Sequence, residues 1–186
     1  MIELFLRAEL FMPDDYQKTI YDIDFTALKK QGVTGLLIDV DNTLIPYDET
    51  EPNDLLIRLF QRIRSMGFAI MIISNNHVPR IQNFAQLINC PFVAQAKKPM
   101  KSGFKKAIRQ LNIVDYDKIC VIGDQLMTDI YGARRLGLKS ILVDAVKRSN
   151  EKWFTRLNRR IEKRMLDRIS RCHPQYYDQL KLVEKR

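Results

Sequence analysis

Four carboxylates, a hydroxyl and an ammonium recur in this chain at the ends of apolar runs, where folding could gather them into one reactive site. Asp39 and Asp41 follow Gly35-Leu36-Leu37-Ile38. Two acidic side chains at the end of a buried strand are costly to desolvate unless positive charge offsets them. A hard divalent cation is the usual solution, because it takes oxygen ligands. The bland alternative is a polar Asp-Asn turn closing a strand. Ser74-Asn75-Asn76 follows a second apolar run, Lys97-Lys98-Pro99 a third, and Gly123-Asp124 a fourth, with Asp129 a turn further on. Each is weak alone: Ser-Asn-Asn commonly caps a helix, Lys-Lys-Pro reads as a solvated loop, and Gly-Asp as a tight turn. Together they suit phosphoryl transfer, which needs a positioned nucleophile and concentrated positive charge around the transferring group.

The elements that must position these residues alternate along the chain. Strands are expected over 34–40, 68–74, 91–94, 118–123 and 139–143, and helices over 52–66, 78–87, 100–111 and 127–136. Gly67 and Gly137 stand where helices should stop, and Pro52 near a helix start, where its missing N–H is no loss. Runs such as Ala69-Ile70-Met71-Ile72-Ile73 are apolar at every position, as strands buried on both faces are. The alternation predicts an α/β fold: a three-layer, doubly wound, Rossmann-like parallel sheet. In such a sheet all four motif-bearing strand ends open on one edge, where ligands of open α/β sheets sit. Residues 1–30 show no clear period and read as an N-terminal arm wrapped over the sheet. Residues 31–146 form the catalytic domain and 147–186 a C-terminal extension.

The ordered set of strand ends resembles the haloacid dehalogenase superfamily, in its capless subclass III form. Asp39-Val40-Asp41-Asn42-Thr43 resembles the first motif, Ser74 the second, Lys98 in its Lys-Pro context the third, and Gly123-Asp124 through Asp129 the fourth. The resemblance covers residues 33–145. It implies Asp39 as the nucleophile that forms an aspartyl-phosphate, and Asp41 as the general acid and base. It implies Mg²⁺ held by Asp39, the Asp41 carbonyl and Asp124. Ser74, Asn75 and Lys98 would bind the phosphate, and Thr43 and Asp129 would support the site. The form of the last motif is similar to a branch linked to phosphatidylglycerophosphate dephosphorylation. Asp39 and Ser74 lie 35 positions apart and Ser74 and Lys98 lie 24 apart. Neither interval has room for an inserted cap domain, so the site should be open unless a partner subunit or the terminal arms cover it.

Composition bounds the rest. A chain of 186 residues, 46% hydrophobic and 28% charged, can build a core without staples. Cys90, Cys120 and Cys172 are odd in number and widely spaced, which argues against a disulfide framework or a zinc site. No apolar run is long enough to span a membrane, and the first ten residues do not read as a signal peptide. A cytoplasmic protein is expected. Residues 147–186 hold 13 basic and 5 acidic side chains and thus +8 of the net charge of +9. There Trp153, Leu157, Ile161, Met165 and Ile169 recur every four residues among arginines and lysines, with Ser149 or Asn150 as a helix cap and Glu151 in the first turn. This basic amphipathic helix either packs on the domain or a second subunit, or contacts anionic membrane peripherally at its inner face, or, less favoured, binds RNA. The leading expectation is a Mg²⁺-dependent phosphatase of a lipid phosphate. The alternatives are a phosphatase of a soluble sugar, nucleotide or nucleic-acid terminal phosphate, and a non-catalytic RNA- or ribosome-binding module.

Overall fold

Strand β2 (Gly35–Ile38) lies in the middle of the sheet, and all four of its residues are buried. The computed structural model describes residues 7–147 and 153–182. Around β2 lie β1 (Asp15–Gln17), β3 (Ala69–Ile73), β4 (Phe92–Val93), β5 (Ile119–Gly123) and β6 (Lys139–Val143). The order is β1-β6-β5-β2-β3-β4, and every neighbouring pair is parallel. From β2 the chain steps outward through β3 to β4, then crosses back to lay β5 on the other side of β2. The winding therefore reverses between β2 and β5, and a crevice opens there beyond the strands' carboxyl ends. Register aligns Ile38 with Ile122, and the Asp39 N–H donates to the Ile122 carbonyl at 3.0 Å. The first and last motifs are thus placed side by side.

Alternating side chains on the strands serve two helical layers. Leu36, Ile38, Ile70, Ile72, Cys120 and Ile122 pack in one cluster with residues of α1 (Phe25–Lys30), α2 (Asp54–Ser65) and α3 (Val78–Leu87). Leu37, Met71, Ile73 and Val121 pack in the other with residues of α4 (Lys101–Leu111) and α5 (Tyr131–Arg134). Each fully buried Leu, Ile or Phe contributes about 1.5–3 kcal/mol by leaving water, so these two layers fix the sheet that carries the site. The helices are punctuated as their sequences require. The Asn53 side chain accepts from the Leu56 N–H at 2.9 Å to cap α2, and Gly67, at φ +82, turns the chain after it. No inserted domain interrupts the described residues.

Residues 1–30 hold more than a wrapping arm. β1 lies on the outer side of β6, with Tyr16 aligned to Leu142. The Asp14 carboxylate accepts from the Ser140 N–H at 2.8 Å, and the Asp14 N–H donates to the Ser140 carbonyl at 2.8 Å. Asp-Tyr-Gln has no apolar run to announce a strand; β6 supplies its partners. α1 was not expected either; Asp24 caps it, its carboxylate accepting from the Ala27 N–H at 2.9 Å, and Gly32 follows at φ +84.

The tail forms α6 (Trp153–Cys172) and α7 (Pro174–Gln179). Met165, Leu166 and Ile169 of α6 are buried with Ala8, Phe11, Leu126, Ile130 and Leu142 in a third cluster. Leu157 is 47% exposed. The expected cap at Ser149 or Asn150, with Glu151, lies outside the described residues. No described helix is long and apolar enough to cross a membrane. Because Ile169 is fully buried, Ile169→Ala should cost about 2–5 kcal/mol in urea-induced unfolding. A cost below about 0.5 kcal/mol, the range of surface substitutions, would show that α6 does not pack on the domain in solution.

Candidate active site

Asp39 leaves β2 into a tight turn. The Val40 carbonyl accepts from the N–H groups of Thr43, Leu44 and Ile45 at 2.9–3.3 Å. Asn42 sits in the left-handed region at φ 63, which asparagine tolerates better than most residues. The turn buries Leu44 and Ile45 and sets Asp39 and Asp41 in the crevice. The Thr43 hydroxyl lies 3.2 Å from Asp124 Oδ1 and 3.4 Å from Asp39 Oδ2, bridging the first and last motifs.

Lys98 joins the rest. Its ammonium donates to Asp129 Oδ1 at 2.6 Å and pairs with Asp39 Oδ1 at 2.8 Å. All three residues are buried. Asn75 holds the lysine's backbone at both ends: its Nδ2 donates to the Lys98 carbonyl at 3.0 Å, and its Oδ1 accepts from the Lys98 N–H at 2.6 Å. Asp129 is brought in by a π-helical turn over Leu126–Ile130, where sequence periodicity suggested an ordinary helix from 127. The Ile130 N–H reaches back five residues to the Gln125 carbonyl at 3.3 Å. Such widened turns recur at functional sites. Gly123 permits the approach, since a Cβ there would lie 2.3 Å from the Asp129 carboxyl carbon.

Asp41 is held by three donors. Arg80 Nε donates at 2.9 Å, Asn76 Nδ2 at 3.2 Å and the Ser74 hydroxyl at 3.3 Å. The Arg80 guanidinium also stands 5.2 Å from the centre of the Tyr47 ring. Arg159, from α6, donates to the Asp124 carbonyl at 2.7 Å, to the Asp124 carboxylate, and to Glu162 at 3.1 Å.

The sequence-derived set Asp39, Asp41, Thr43, Ser74, Asn75, Lys98, Asp124 and Asp129 therefore converges on one crevice. Sequence reasoning did not find Tyr47, Asn76, Arg80 or Arg159. Arg80 left a readable signal: it is the one basic residue of α3 and lies in that helix's first turn, where a cation opposes the dipole unless an acid faces it.

Negative charge is crowded here: Asp39, Asp41, Asp124 and Asp129 line one crevice, with Lys98, Arg80 and Arg159 paired against them. Burial pushes the Asp39 carboxyl well above the ordinary range; Lys98 opposes this, and Asp129, Asp124 and Asp41 reinforce it. Burial also raises Asp129, again against Lys98. Burial disfavours the Lys98 ammonium, but Asp129 and Asp39 outweigh it and hold its pKa above the usual lysine value. Carboxylate oxygens of Asp39, Asp124 and Asp129 lie within 4.8 Å of one another. Both Asp129 oxygens are engaged, Oδ1 by Lys98 and Oδ2 by the Gln125 N–H and the Thr128 hydroxyl. The same holds for Asp39, between Lys98 and Thr43, and for Asp124, between Thr43 and Arg159, so contacts do not rank the three; an all-oxygen set of clustered carboxylates fits a hard dication.

A cavity of about 430 Å³ opens on Asp39, Asp41, Ser74 and Lys98 and is lined also by Tyr47, Met127, Thr155 and Asn158. The last two come from α6.

Comparison with known proteins agrees with this geometry. The haloacid dehalogenase-like hydrolase family matches residues 4–137. The chain is 37% identical over 166 residues to the probable phosphatase YqeG of Bacillus subtilis, covering 89% of this chain and 95% of that protein. It is 27% identical over 166 residues to the chloroplastic phosphatidylglycerophosphate phosphatase 1 of Chlamydomonas reinhardtii, covering 84% of this chain and 61% of that protein. A haloacid dehalogenase-like hydrolase from Brucella suis 1330 shares the fold at TM-score 0.52 and 13% identity, over 69% of this chain and 94% of that one.

Replacing charged members of the site should move stability in opposite directions. Lys98→Met removes the cation between two buried carboxylates and should cost about 3–5 kcal/mol. Asp39→Asn removes one of several crowded negative charges and should raise the melting temperature in metal-free buffer. Equal destabilisation by the two, measured by calorimetry, would refute the crowding of negative charge around Asp39.

Proposed function

Since the chain belongs to the haloacid dehalogenase-like hydrolase family, we propose that it is a Mg²⁺-dependent phosphomonoester hydrolase working through an aspartyl-phosphate, with a lipid phosphate of the phosphatidylglycerophosphate type as substrate. The observation that carries the phosphatase chemistry is the buried Asp39–Lys98–Asp129 bridge with Asp41 beside it. A carboxylate attacks phosphorus well only when charge repulsion with the phosphate is cancelled. The Lys98 ammonium, 2.8 Å from Asp39 Oδ1, supplies part of that cancellation. Asp129 keeps the ammonium in place, and Asn75 fixes the backbone from which it projects.

The reaction proceeds in two halves. Asp39 attacks phosphorus, and the bond to the alcohol oxygen breaks as Asp41 hands that oxygen a proton. Asp41 then takes a proton from the water that cleaves the acyl phosphate, releasing inorganic phosphate and restoring Asp39. Arg80, Asn76 and Ser74 hold the Asp41 carboxylate while its proton inventory changes. Ser74 and Asn75 line the cavity where the phosphoryl oxygens would sit. Mg²⁺ held by Asp39, Asp124 and the Asp41 carbonyl would add positive charge beside the nucleophile and the phosphate.

Two observations support a lipid substrate. The site has no inserted cap among the described residues, so a headgroup presented at a surface can reach it. One relative is a phosphatidylglycerophosphate phosphatase. Peripheral contact with anionic membrane would be carried by the basic side chains of α6, since Met165 and Ile169 of its expected apolar stripe are buried. A soluble phosphomonoester is the second reading, favoured by the polar side chains of Thr155 and Asn158 at the cavity. A non-catalytic RNA- or ribosome-binding module is disfavoured, because every side chain that the chemistry requires lies in one crevice.

Asp39→Asn and removal of Mg²⁺ by chelation should each reduce p-nitrophenyl phosphate turnover by several orders of magnitude, as loss of a covalent nucleophile does. Residual activity above roughly 1% in the purified variant, larger than such a loss allows, would take Asp39 out of that role. Phosphatidylglycerophosphate in mixed micelles should be hydrolysed faster than soluble sugar or nucleotide phosphates; the reverse order would favour the second reading.

A further inference from the structure

Seven residues of α6 share one face at helical spacing: Thr155, Asn158, Arg159, Glu162, Met165, Leu166 and Ile169. Steps of three and four place them in line along the helix. The face changes character along its length. Met165, Leu166 and Ile169 are buried in the third hydrophobic cluster. One turn earlier, Glu162 is 3% exposed and accepts from Arg159, which in turn holds Asp124. Earlier still, Thr155 and Asn158 line the catalytic cavity. The helix is therefore anchored by its apolar end, tied at its middle to an aspartate of the fourth motif, and presented to the site by its polar end.

Thr155 and Asn158 are half-buried. Among the described residues neither side chain has a hydrogen-bond partner. Side chains with that character on a cavity wall are set to bind whatever enters it. Arg159's bond to the Asp124 main-chain carbonyl does not use the carboxylate that a cation would take, so the helix stays tied when that carboxylate turns to another partner.

We propose that α6 serves in place of a cap domain and that Asn158 and Thr155 determine specificity by hydrogen bonding to hydroxyl groups of the alcohol from which phosphate is cleaved. The inference rests on the phosphomonoesterase reading above and narrows the leaving group to a polyol such as a glycerol unit. An amide and a hydroxyl each donate and accept, so they match neutral hydroxyls better than a second anion. Met127 and the Tyr47 ring, also on the cavity wall, give the carbon skeleton an apolar surface. A site built to bond a substrate hydroxyl discriminates strongly, because its own polar groups are left unpaired when that hydroxyl is missing.

The test is a ratio. kcat/KM for glycerol 3-phosphate is divided by kcat/KM for p-nitrophenyl phosphate, whose leaving group has no alcoholic hydroxyl besides the ester oxygen. Asn158→Ala and Thr155→Val, each with a melting temperature near that of the wild type, should lower this ratio at least fivefold. Ratios that stay within twofold of the wild type in both variants would overturn the proposal. A binding measurement separates this from failure of the phosphatase reading. The heat of binding can be followed by titration calorimetry as glycerol 3-phosphate or inorganic phosphate is added. The wild type should bind glycerol 3-phosphate several-fold more tightly than inorganic phosphate, and Asn158→Ala should lose the difference. Equal wild-type affinities would overturn the assignment of α6 whether or not either ester is hydrolysed. A wild type that prefers glycerol 3-phosphate yet hydrolyses neither ester would uphold the α6 assignment and sink the phosphatase reading alone.

Discussion

The Lys98 ammonium shared by Asp39 and Asp129 is the contact on which the rest of this molecule depends. Three charges are buried together, and burial of charge is tolerable only with close partners. Each supporting feature exists to make that arrangement possible. The reversal of winding between β2 and β5 brings Asp39 next to Gly123. The glycine lets Asp129 come within reach, and the π-helical turn aims it. Asn75 holds Lys98 by its backbone. Even so, burial and three neighbouring carboxylates push the Asp39 carboxyl up, so its ionised form is not there for the stability of the fold. Natural sites of this kind sacrifice stability for function.

Most of the fold was legible because its strands are buried on both faces. Ala69–Ile73 and Ile119–Gly123 read as continuous apolar runs for that reason, and the loops that follow them carry the motifs. Parallel strands place consecutive strand ends on one edge, so Asp39, Ser74, Lys98 and Asp124 could be brought together without knowledge of any contact. β1 was illegible because its residues are polar and an edge strand needs only one neighbour. Here β6 and the Asp14–Ser140 bonds supply the order that the local sequence lacks. Arg80 and Arg159 were missed for another reason: an arginine on a helix looks like solvated surface until the acid opposite it is known, and Arg159 stands among several other basic residues.

The C-terminal helix shows how a functional face hides from periodicity. Hydrophobic residues at every fourth position, from Trp153 to Ile169, suggested one apolar stripe. A step of four overshoots the helical repeat of 3.6, so such a stripe drifts around the helix. The face that packs runs instead through Thr155, Asn158, Arg159, Glu162, Met165, Leu166 and Ile169. Its first four residues are polar because they meet the site, not because they meet water. Arg159 of the tail is consumed within the protein, while the side chains of Arg160 and Lys163 are exposed. With Thr155 and Asn158 on the cavity wall, α6 closes one side of a crevice that no inserted cap covers among the described residues.

The central claim is that Asp39 carries the phosphoryl group during turnover. It is tested most directly by trapping that species. Asp41→Asn lacks the group that activates water, so a phosphomonoester with a good leaving group should phosphorylate it faster than it turns over. After acid quenching, peptide mapping by mass spectrometry should place one phosphoryl group on Asp39, only when Mg²⁺ is present. Phosphate found instead on Ser74, or turnover at full rate with no phosphorylated peptide, would contradict the account.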